Sequence, residues 1–249
     1  METTIPSPAQ VMTSLLRADF TTQWRNRRAF ILVLLVPVII LISWKGIVDK
    51  MGGAFALGSC ITVGLTAIGL MGYSNSIARD RDKGVFQRLR VSPIPGWSIM
   101  TSRILVQLVM ILLMVTAVFT GGYYFDKITL KPLGYVMGYF TSLVGGAVYL
   151  GLGQAIVGRI KNAETVNSVS RLIYFLFIMI GMFGELGILG KEVAEISKWS
   201  PYGTVKSILF ASMQPAAWDN HAWLALLATV GYAVLFCILG IKWFRWNTR

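Results

Sequence analysis

The residues best suited to specific chemistry are concentrated in one short stretch, "DRDKGVFQRLRVSPIPGW", which runs from Asp80 to Trp97. It combines carboxylates, guanidinium groups and apolar side chains, so it can make charge-assisted hydrogen bonds beside an apolar contact. The part from Gly84 to Val91 reads as a short helix. It ends at Ser92-Pro93, because the residue before a proline is pushed out of the helical region.

The predicted short helix carries an apolar patch beside a charged rim. Val85, Phe86 and Leu89 fall within one third of its circumference, and the other side chains point elsewhere. Those other residues are Gln87, Arg88 and Arg90, and Asp80 and Asp82 form an acidic flank. This pattern is typical of a transient protein interface. The alternative is a loop that rests on lipid or folds under its own helices.

Other reactive side chains indicate no enzymatic site. Cys60 and Cys237 lie inside apolar blocks, where packed apolar residues are expected rather than a disulfide or a reactive thiol. His221 has no neighbouring residues that would complete a metal site. A membrane enzyme would need polar groups clustered at depth, and an ion-driven secondary transporter would need buried acids and repeated broken helices. The sequence disfavours both classes.

The composition predicts an integral membrane protein. The chain has 249 residues, of which 55% are hydrophobic and 14% charged, against about 25% charged in ordinary soluble domains. The net charge is +12, but the bases lie between apolar blocks. Anionic lipid headgroups are therefore the expected partners of these bases, and nucleic acid is not.

Six apolar blocks are predicted to cross the membrane as helices. Each is close to the length of about 20 residues that a spanning helix needs. An open sheet would leave backbone groups unpaired in hydrocarbon, so the predicted fold is all-α. The blocks are Ala29–Val48, Gly53–Ala78, Ile99–Phe125, Leu133–Gly158, Val166–Gly184 and Ala222–Phe244.

The distribution of basic residues predicts the orientation. Most of the 23 lysines and arginines lie on the side of the N-terminus. Basic loops stay in the cytoplasm, so both termini and the 80–97 loop are expected there. The chain shows no internal repeat or linker and is interpreted as one domain over residues 1–249.

Two segments are predicted not to span. Residues 8–28 form an amphipathic helix in the inner headgroup layer, although Asp19 interrupts its apolar side. Residues 185–221 form short helices that dip into the outer leaflet, because Pro201, Gly203 and Pro215 break the apolar runs. The apolar side of the first segment consists of Met12, Leu15, Leu16, Phe20 and Trp24.

The stretch "KGVFQRLRVSP" resembles the coupling loop of ABC type-2 transporter permeases, in which a sequence such as "KGTLEQLLVTP" follows the second span. Gln87 replaces the family's glutamate, so Asp80 or Asp82 becomes the candidate acid for an ATPase contact. The shared residues are Lys83, Gly84, Leu89, Val91 and Pro93. Further similarities lie in residues 8–28, "KNAETVN" (161–167), "GMFGELGIL" (181–189) and "SPYGTVKSILF" (200–210).

The resemblance implies a permease subunit of a bacterial ABC exporter in the cytoplasmic (inner) membrane. Two ATPase subunits would bind ATP and Mg²⁺, and a second permease, identical or paralogous, would complete the pathway. The chain itself is expected to be neither an enzyme nor a cofactor protein, since it has no GxxxxGK[ST] phosphate loop. The implied cargo is amphiphilic or hydrophobic: a drug, an antibiotic peptide or a lipid-like molecule. The alternatives are a non-transporting scaffold or sensor and a sodium-extruding permease.

The resemblance also implies roles for particular residues. The ATPase-coupling residues are Gly84, Val85, Phe86, Gln87, Arg88, Leu89 and Arg90. The pathway residues, on the second and fifth spans, are Thr62, Thr66, Met71, Tyr174, Phe177 and Phe183. Glu185 adjoins the outer end of the fifth span and is the candidate outer gate.

Overall fold

The computed structural model describes residues 7–90, 96–184 and 190–244, and within these ranges all regular structure is helical. The all-α prediction is therefore confirmed there. The first half contains α1 (Pro8–Arg25), α2 (Arg27–Ser43), α3 (Lys45–Met51), α4 (Gly53–Thr66), a π-helical segment (Ala67–Tyr73), α5 (Ser74–Asp82) and α6 (Val85–Arg90). The second half contains α7 (Gly96–Asp126), α8 (Pro132–Arg159), α9 (Ala163–Ile178), a second π-helical segment (Met179–Phe183), α10 (Lys191–Trp199), α11 (Pro201–Met213), a 3₁₀ turn (Pro215–Ala217) and α12 (Asn220–Trp243).

Five of the six predicted spans are present as helices long and apolar enough to cross a membrane. They are Gly53–Asp82, Gly96–Asp126, Pro132–Arg159, Ala163–Gly181 and Asn220–Trp243. The first predicted span differs from its expected form. Its helix ends at Ser43, and Lys45–Met51 continues at an angle of 66°. Taken together, the two helices are long and apolar enough to cross as one bent span, which would make six.

The N-terminal helix begins at a capping box. The Ser7 hydroxyl accepts a hydrogen bond from the Gln10 backbone, and the Gln10 side chain accepts one from the Ser7 backbone. These two bonds satisfy backbone donors that a helix start leaves free. The helix ends at Arg25, close to the predicted boundary.

The segment before the last span consists of short helices, as predicted: α10 ends before Pro201, and α11 ends before Pro215. Pro201 occupies the first turn of α11, where a proline loses no hydrogen bond, and the Ser200 hydroxyl caps this helix. Gly203 lies in the first turn of α11 and does not end it. Glycine is needed there because a Cβ atom would lie 2.0 Å from the Ser197 carbonyl oxygen. Most side chains of α11 are buried, and Lys206 lies 3.7 Å from the ring centroid of Phe55. The prediction that Gly203 breaks the segment is therefore wrong.

Helix α8 lies at the centre of the bundle, in contact with α4, α7, α11 and α12. Its glycines allow this position. A Cβ atom on Gly153 would lie 2.4 Å from the Gly69 carbonyl oxygen, and one on Gly69 would lie 2.5 Å from the Tyr149 backbone. Small residues let helix backbones approach closely where hydrocarbon supplies no hydrophobic driving force.

Gly153→Ala is expected to destabilise the protein by about 1–3 kcal/mol, because the added methyl group overpacks the contact with Gly69. Gly231→Ala is the matched control, since a Cβ there meets nothing within 4 Å on α12. Thermal unfolding in detergent would measure both. Equal melting temperatures for the two variants would contradict the close crossing.

Candidate coupling site

Three consecutive residues at the end of α5, Asp80, Arg81 and Asp82, connect the 80–97 loop to three other parts of the bundle. We call these residues the clamp. Each side chain reaches a different element, so the position of α6, which follows the clamp directly, depends on all three contacts. The sequence places these residues in a charged flank but does not reveal what they contact.

Asp80 forms an ion pair with Arg103 of α7, with 2.7 Å between the carboxylate oxygen and the guanidinium nitrogen. Arg103 also pairs with Asp19 of α1 at 3.1 Å, and the Ser102 hydroxyl donates a hydrogen bond to Asp19 at 2.6 Å. Asp80, Arg103 and Asp19 are at most 18% exposed. The pKa of Asp19 is raised overall, because the effect of burial exceeds the opposite effects of Arg103 and the Ser102 hydrogen bond.

The same contacts correct two expectations. Asp19, which interrupts the apolar side of the N-terminal helix, turns towards Arg103 and holds α1 against α7. Asp80 points into the bundle, so it does not supply an exposed acid for a partner protein. Asp82 is exposed and remains available for that role.

Arg81 is the buried member of the clamp, with 4% of its surface exposed. Its guanidinium group donates hydrogen bonds to the carbonyl oxygens of Val157, Ile160 and Lys161 at 2.6, 2.6 and 2.7 Å. The last carbonyl groups of a helix have no partner within the helix, and a cation is favourable at that end. Arg81 therefore caps α8 and ties it to α5.

Asp82 completes the clamp at the start of α9. Its carboxylate accepts a hydrogen bond from the Ala163 backbone at 3.2 Å. The Asn162 side chain accepts two more, from Glu164 at 2.8 Å and Thr165 at 3.0 Å. An acidic group at a helix N-terminus satisfies free donors and complements the helix dipole.

The short helix α6 is present, but its apolar patch is largely covered. Gly84 has φ +69°, a conformation that suits glycine and turns the chain from α5 into α6. Phe86 is 1% exposed and packs edge-on against Phe244, with 6.1 Å between the ring centroids. Val85 and Leu89 are half-buried. For Phe86 the structure agrees with the alternative that the loop folds under its own helices.

Gln87 and Arg88 form the exposed side of α6. The Arg88 guanidinium donates a long hydrogen bond, at 3.4 Å, to the Lys83 carbonyl oxygen. The side chain of Arg90 lies outside the described residues. The exposed amide and guanidinium groups can bind carboxylates or backbone carbonyls of another protein.

The predicted pathway residues divide into two groups. Thr62 and Thr66 are fully buried within this chain, and each hydroxyl donates to a carbonyl one turn back at 2.7 Å. They do not line a surface that a second subunit could share, which corrects that part of the prediction. The other four residues are partly accessible: Met71, Tyr174, Phe177 and Phe183. Glu185 lies outside the described residues.

The contacts between α5 and α9 include two polar pairs that sequence reasoning missed. The hydroxyl groups of Ser74 and Ser170 are 3.0 Å apart, and the Asn75 amide donates to Asn167 at 3.2 Å. These pairs could have been predicted from the sequence, because both spans carry polar residues at matching depths in the membrane. Within the described ranges, no three histidine, cysteine or acidic side chains lie close enough to hold a metal ion.

The model of the ABC-2 type transporter family matches residues 10–204 of this chain, a range that includes the clamp and α6. A similar curated protein is "Putative transport permease YvfS" of Bacillus subtilis (strain 168). It is 22% identical over 234 residues, which cover 89% of this chain and 92% of that protein.

Arg81→Met is expected to loosen the turn between α8 and α9, because three carbonyl oxygens lose their donor and an unsatisfied buried group costs about 1–3 kcal/mol. Hydrogen exchange of residues 160–163 is expected to be at least tenfold faster. Arg79→Met, on the exposed side of the same helix, serves as the control. Unchanged protection in the Arg81 variant would contradict the clamp.

Proposed function

Since this chain belongs to the ABC-2 type transporter family and is a transport permease subunit, we propose that it serves an exporter whose ATP hydrolysis takes place on a separate subunit. Two such ATPase subunits, with ATP and Mg²⁺, would bind at the end of the bundle that carries α1, α6 and the clamp. The cargo would be amphiphilic or hydrophobic and would move from the inner side of the membrane outwards.

The clamp is the observation that carries the coupling proposal. A displacement of α6 is transmitted through Asp80 to α7 and α1, through Arg81 to α8, and through Asp82 to α9. Buried charge-assisted contacts of this kind hold their geometry, because breaking one leaves an uncompensated charge. Closure of the ATPases would shift the bundle between inward-open and outward-open states by favouring one position of α6.

The residues of α6 and of the turn before it take three different roles in this proposal. Gln87 and Arg88 are exposed and would bind the ATPase directly, together with the accessible parts of Val85 and Leu89. Phe86 would act as an anchor, because its contact with Phe244 fixes α6 to α12. Gly84 would supply the turn that orients the helix.

The pathway is proposed to lie between this chain and a second permease, identical or paralogous. Support comes from α9, the least buried of the five continuous spans. Leu172, Phe175 and Leu176 of α9 are exposed in the single chain. Met71, Tyr174, Phe177 and Phe183 would offer a loose apolar surface to the cargo.

The membrane is proposed to be the bacterial cytoplasmic membrane, with both termini on the cytoplasmic side. The similarity to a Bacillus protein supports the first part. The second part follows from the basic residues of the clamp end, since basic loops remain inside. Arg79, Lys83 and Arg88 are exposed at that end.

Arg88→Glu is expected to weaken ATPase binding, because it reverses the charge of the exposed side of α6. The measurement is co-purification of a subunit with a Walker A phosphate loop from membranes of the native host, together with its vanadate-sensitive ATP hydrolysis. We expect at least a tenfold loss. Lys191→Glu, an exposed charge reversal on α10 outside the coupling region, is expected to keep both signals. Full retention by the Arg88 variant would contradict direct coupling through α6.

Phe175→Cys, in a background with the exposed Cys237 replaced by alanine, is expected to form a disulfide between two permease chains. In a two-fold interface, residues near the symmetry axis lie next to their own symmetry mates, and the proposed interface places the exposed Phe175 near that axis. Non-reducing electrophoresis of oxidised membranes would detect the dimer. Leu227→Cys, 68% exposed on α12, is the control and is expected to stay monomeric. A dimer in the control alone would place the interface on α12, and a disulfide to a different chain would indicate a paralogous partner.

A further inference from the structure

A groove of about 500 Å³ opens between α7 and α12, and no clamp residue or α9 residue lines it. Its floor is α8, where Ala147 and Gly151 provide depth because they have little or no side chain. Gly151 also lets α12 lie close, since a Cβ there would be 3.1 Å from the Cys237 backbone nitrogen. The lining is almost entirely apolar.

The length and position of the groove match one leaflet of a bilayer. Along α7 it extends from Gly96 to Leu108, which is about 18 Å at about 1.5 Å per residue. The hydrocarbon core is about 30 Å thick, so the groove covers about half of it. Trp97 is 64% exposed at the mouth, and tryptophan is enriched at membrane–water interfaces. The groove therefore runs from the interface at the α1 and α6 end towards the middle of the membrane.

The groove contains one polar pair. The Tyr73 hydroxyl donates a hydrogen bond to the Gln154 side-chain oxygen at 2.7 Å, and Tyr73 is 1% exposed. This bond directs the Gln154 oxygen towards Tyr73. Within the described part of the chain, no residue accepts a hydrogen bond from the Gln154 amide nitrogen. A donor in an apolar groove is stabilised by a carbonyl acceptor from a ligand.

A cation lies next to the mouth. Lys242 is exposed in the last turn of α12, in the same turn as Ile241 and Phe244, which line the groove. A lysine at the end of a membrane-spanning helix is expected near the lipid phosphate groups. An anionic headgroup is therefore favoured at this position.

We propose that the groove is a binding site for one acyl chain of an anionic phospholipid from the leaflet at the α1 and α6 end. The chain lies against Ala147 and Gly151. The ester carbonyl accepts a hydrogen bond from the Gln154 amide, and the phosphate lies near Lys242. This site is separate from the proposed cargo pathway, and it does not depend on the transport direction or on an ATPase.

The first test is native mass spectrometry of the full chain in detergent with phosphatidylglycerol. The wild type is expected to retain one tightly bound lipid. Ile104→Trp, in a residue that lines the groove, is expected to weaken retention at least tenfold by filling it. Leu105→Trp is the matched control, since the two residues are 39% and 38% exposed and Leu105 does not line the groove. No retained lipid in the wild type, or equal retention by both variants, would overturn the proposal.

The second test compares diester with diether phosphatidylglycerol, because a diether lipid has no ester carbonyl. The wild type is expected to prefer the diester form by about two- to tenfold, the range that a net hydrogen bond of about 0.5–1.5 kcal/mol provides. Gln154→Leu is expected to bind both lipids equally. The ratio of bound diester to bound diether lipid is measured separately for each variant. A change in protein stability affects both lipids equally and therefore cancels from this ratio. An undiminished preference in the Gln154 variant would refute the assigned hydrogen bond.

The headgroup is tested by replacing phosphatidylglycerol with phosphatidylcholine. The wild type is expected to retain the anionic lipid several-fold better, and Lys242→Gln is expected to reduce that difference. Equal retention of the two lipids by the wild type would overturn the choice of an anionic phospholipid. The melting temperature of each variant, measured without added lipid, checks that the fold is intact.

Discussion

A charged group enclosed by protein at the edge of a membrane must find partners of its own, and the arrangement of this bundle depends on that requirement. Arg81 finds its acceptors in the carbonyl groups that end α8. Arg103 is held between Asp19 and Asp80. Because each partner lies on a different helix, the electrostatic requirement is met only when α1, α5, α7 and α8 take their observed places.

The packing of the membrane-spanning part follows a different rule. Apolar side chains gain nothing by leaving hydrocarbon, so close helix contact depends on shape and on small residues. Gly69 and Gly153 bring the first π-helical segment against α8, and Gly151 does the same for α12. The small residues Ala147 and Gly151 of α8 also form the floor of the groove. Where α7 and α12 stand apart above them, they leave the apolar groove beside Gln154.

These two features divide the molecule by function. At the clamp end, an ion-pair network and charge-assisted hydrogen bonds join the end of α5, which leads into α6, to α1, α7, α8 and the start of α9. The surface of α9 remains largely uncovered and suits a second subunit. The groove is lined by residues of the first π-helical segment, α7, α8 and α12, with Phe244, and is the surface proposed to bind a lipid. The surfaces proposed to bind an ATPase, a second permease and a lipid are therefore formed by different residues with different physical properties.

Local patterns in the sequence determined the helical class, five of the six spans, the N-terminal helix and the short helix of the 80–97 loop. Hydropathy and proline stops are properties of neighbouring residues, so they can be read without the fold. Tertiary structure alone decided that Phe86 turns inward, that Thr62 and Thr66 are enclosed, and that Asp19 pairs with Arg103. A side chain's direction and its partner depend on residues far along the chain, and no local pattern specifies which of them will lie beside it.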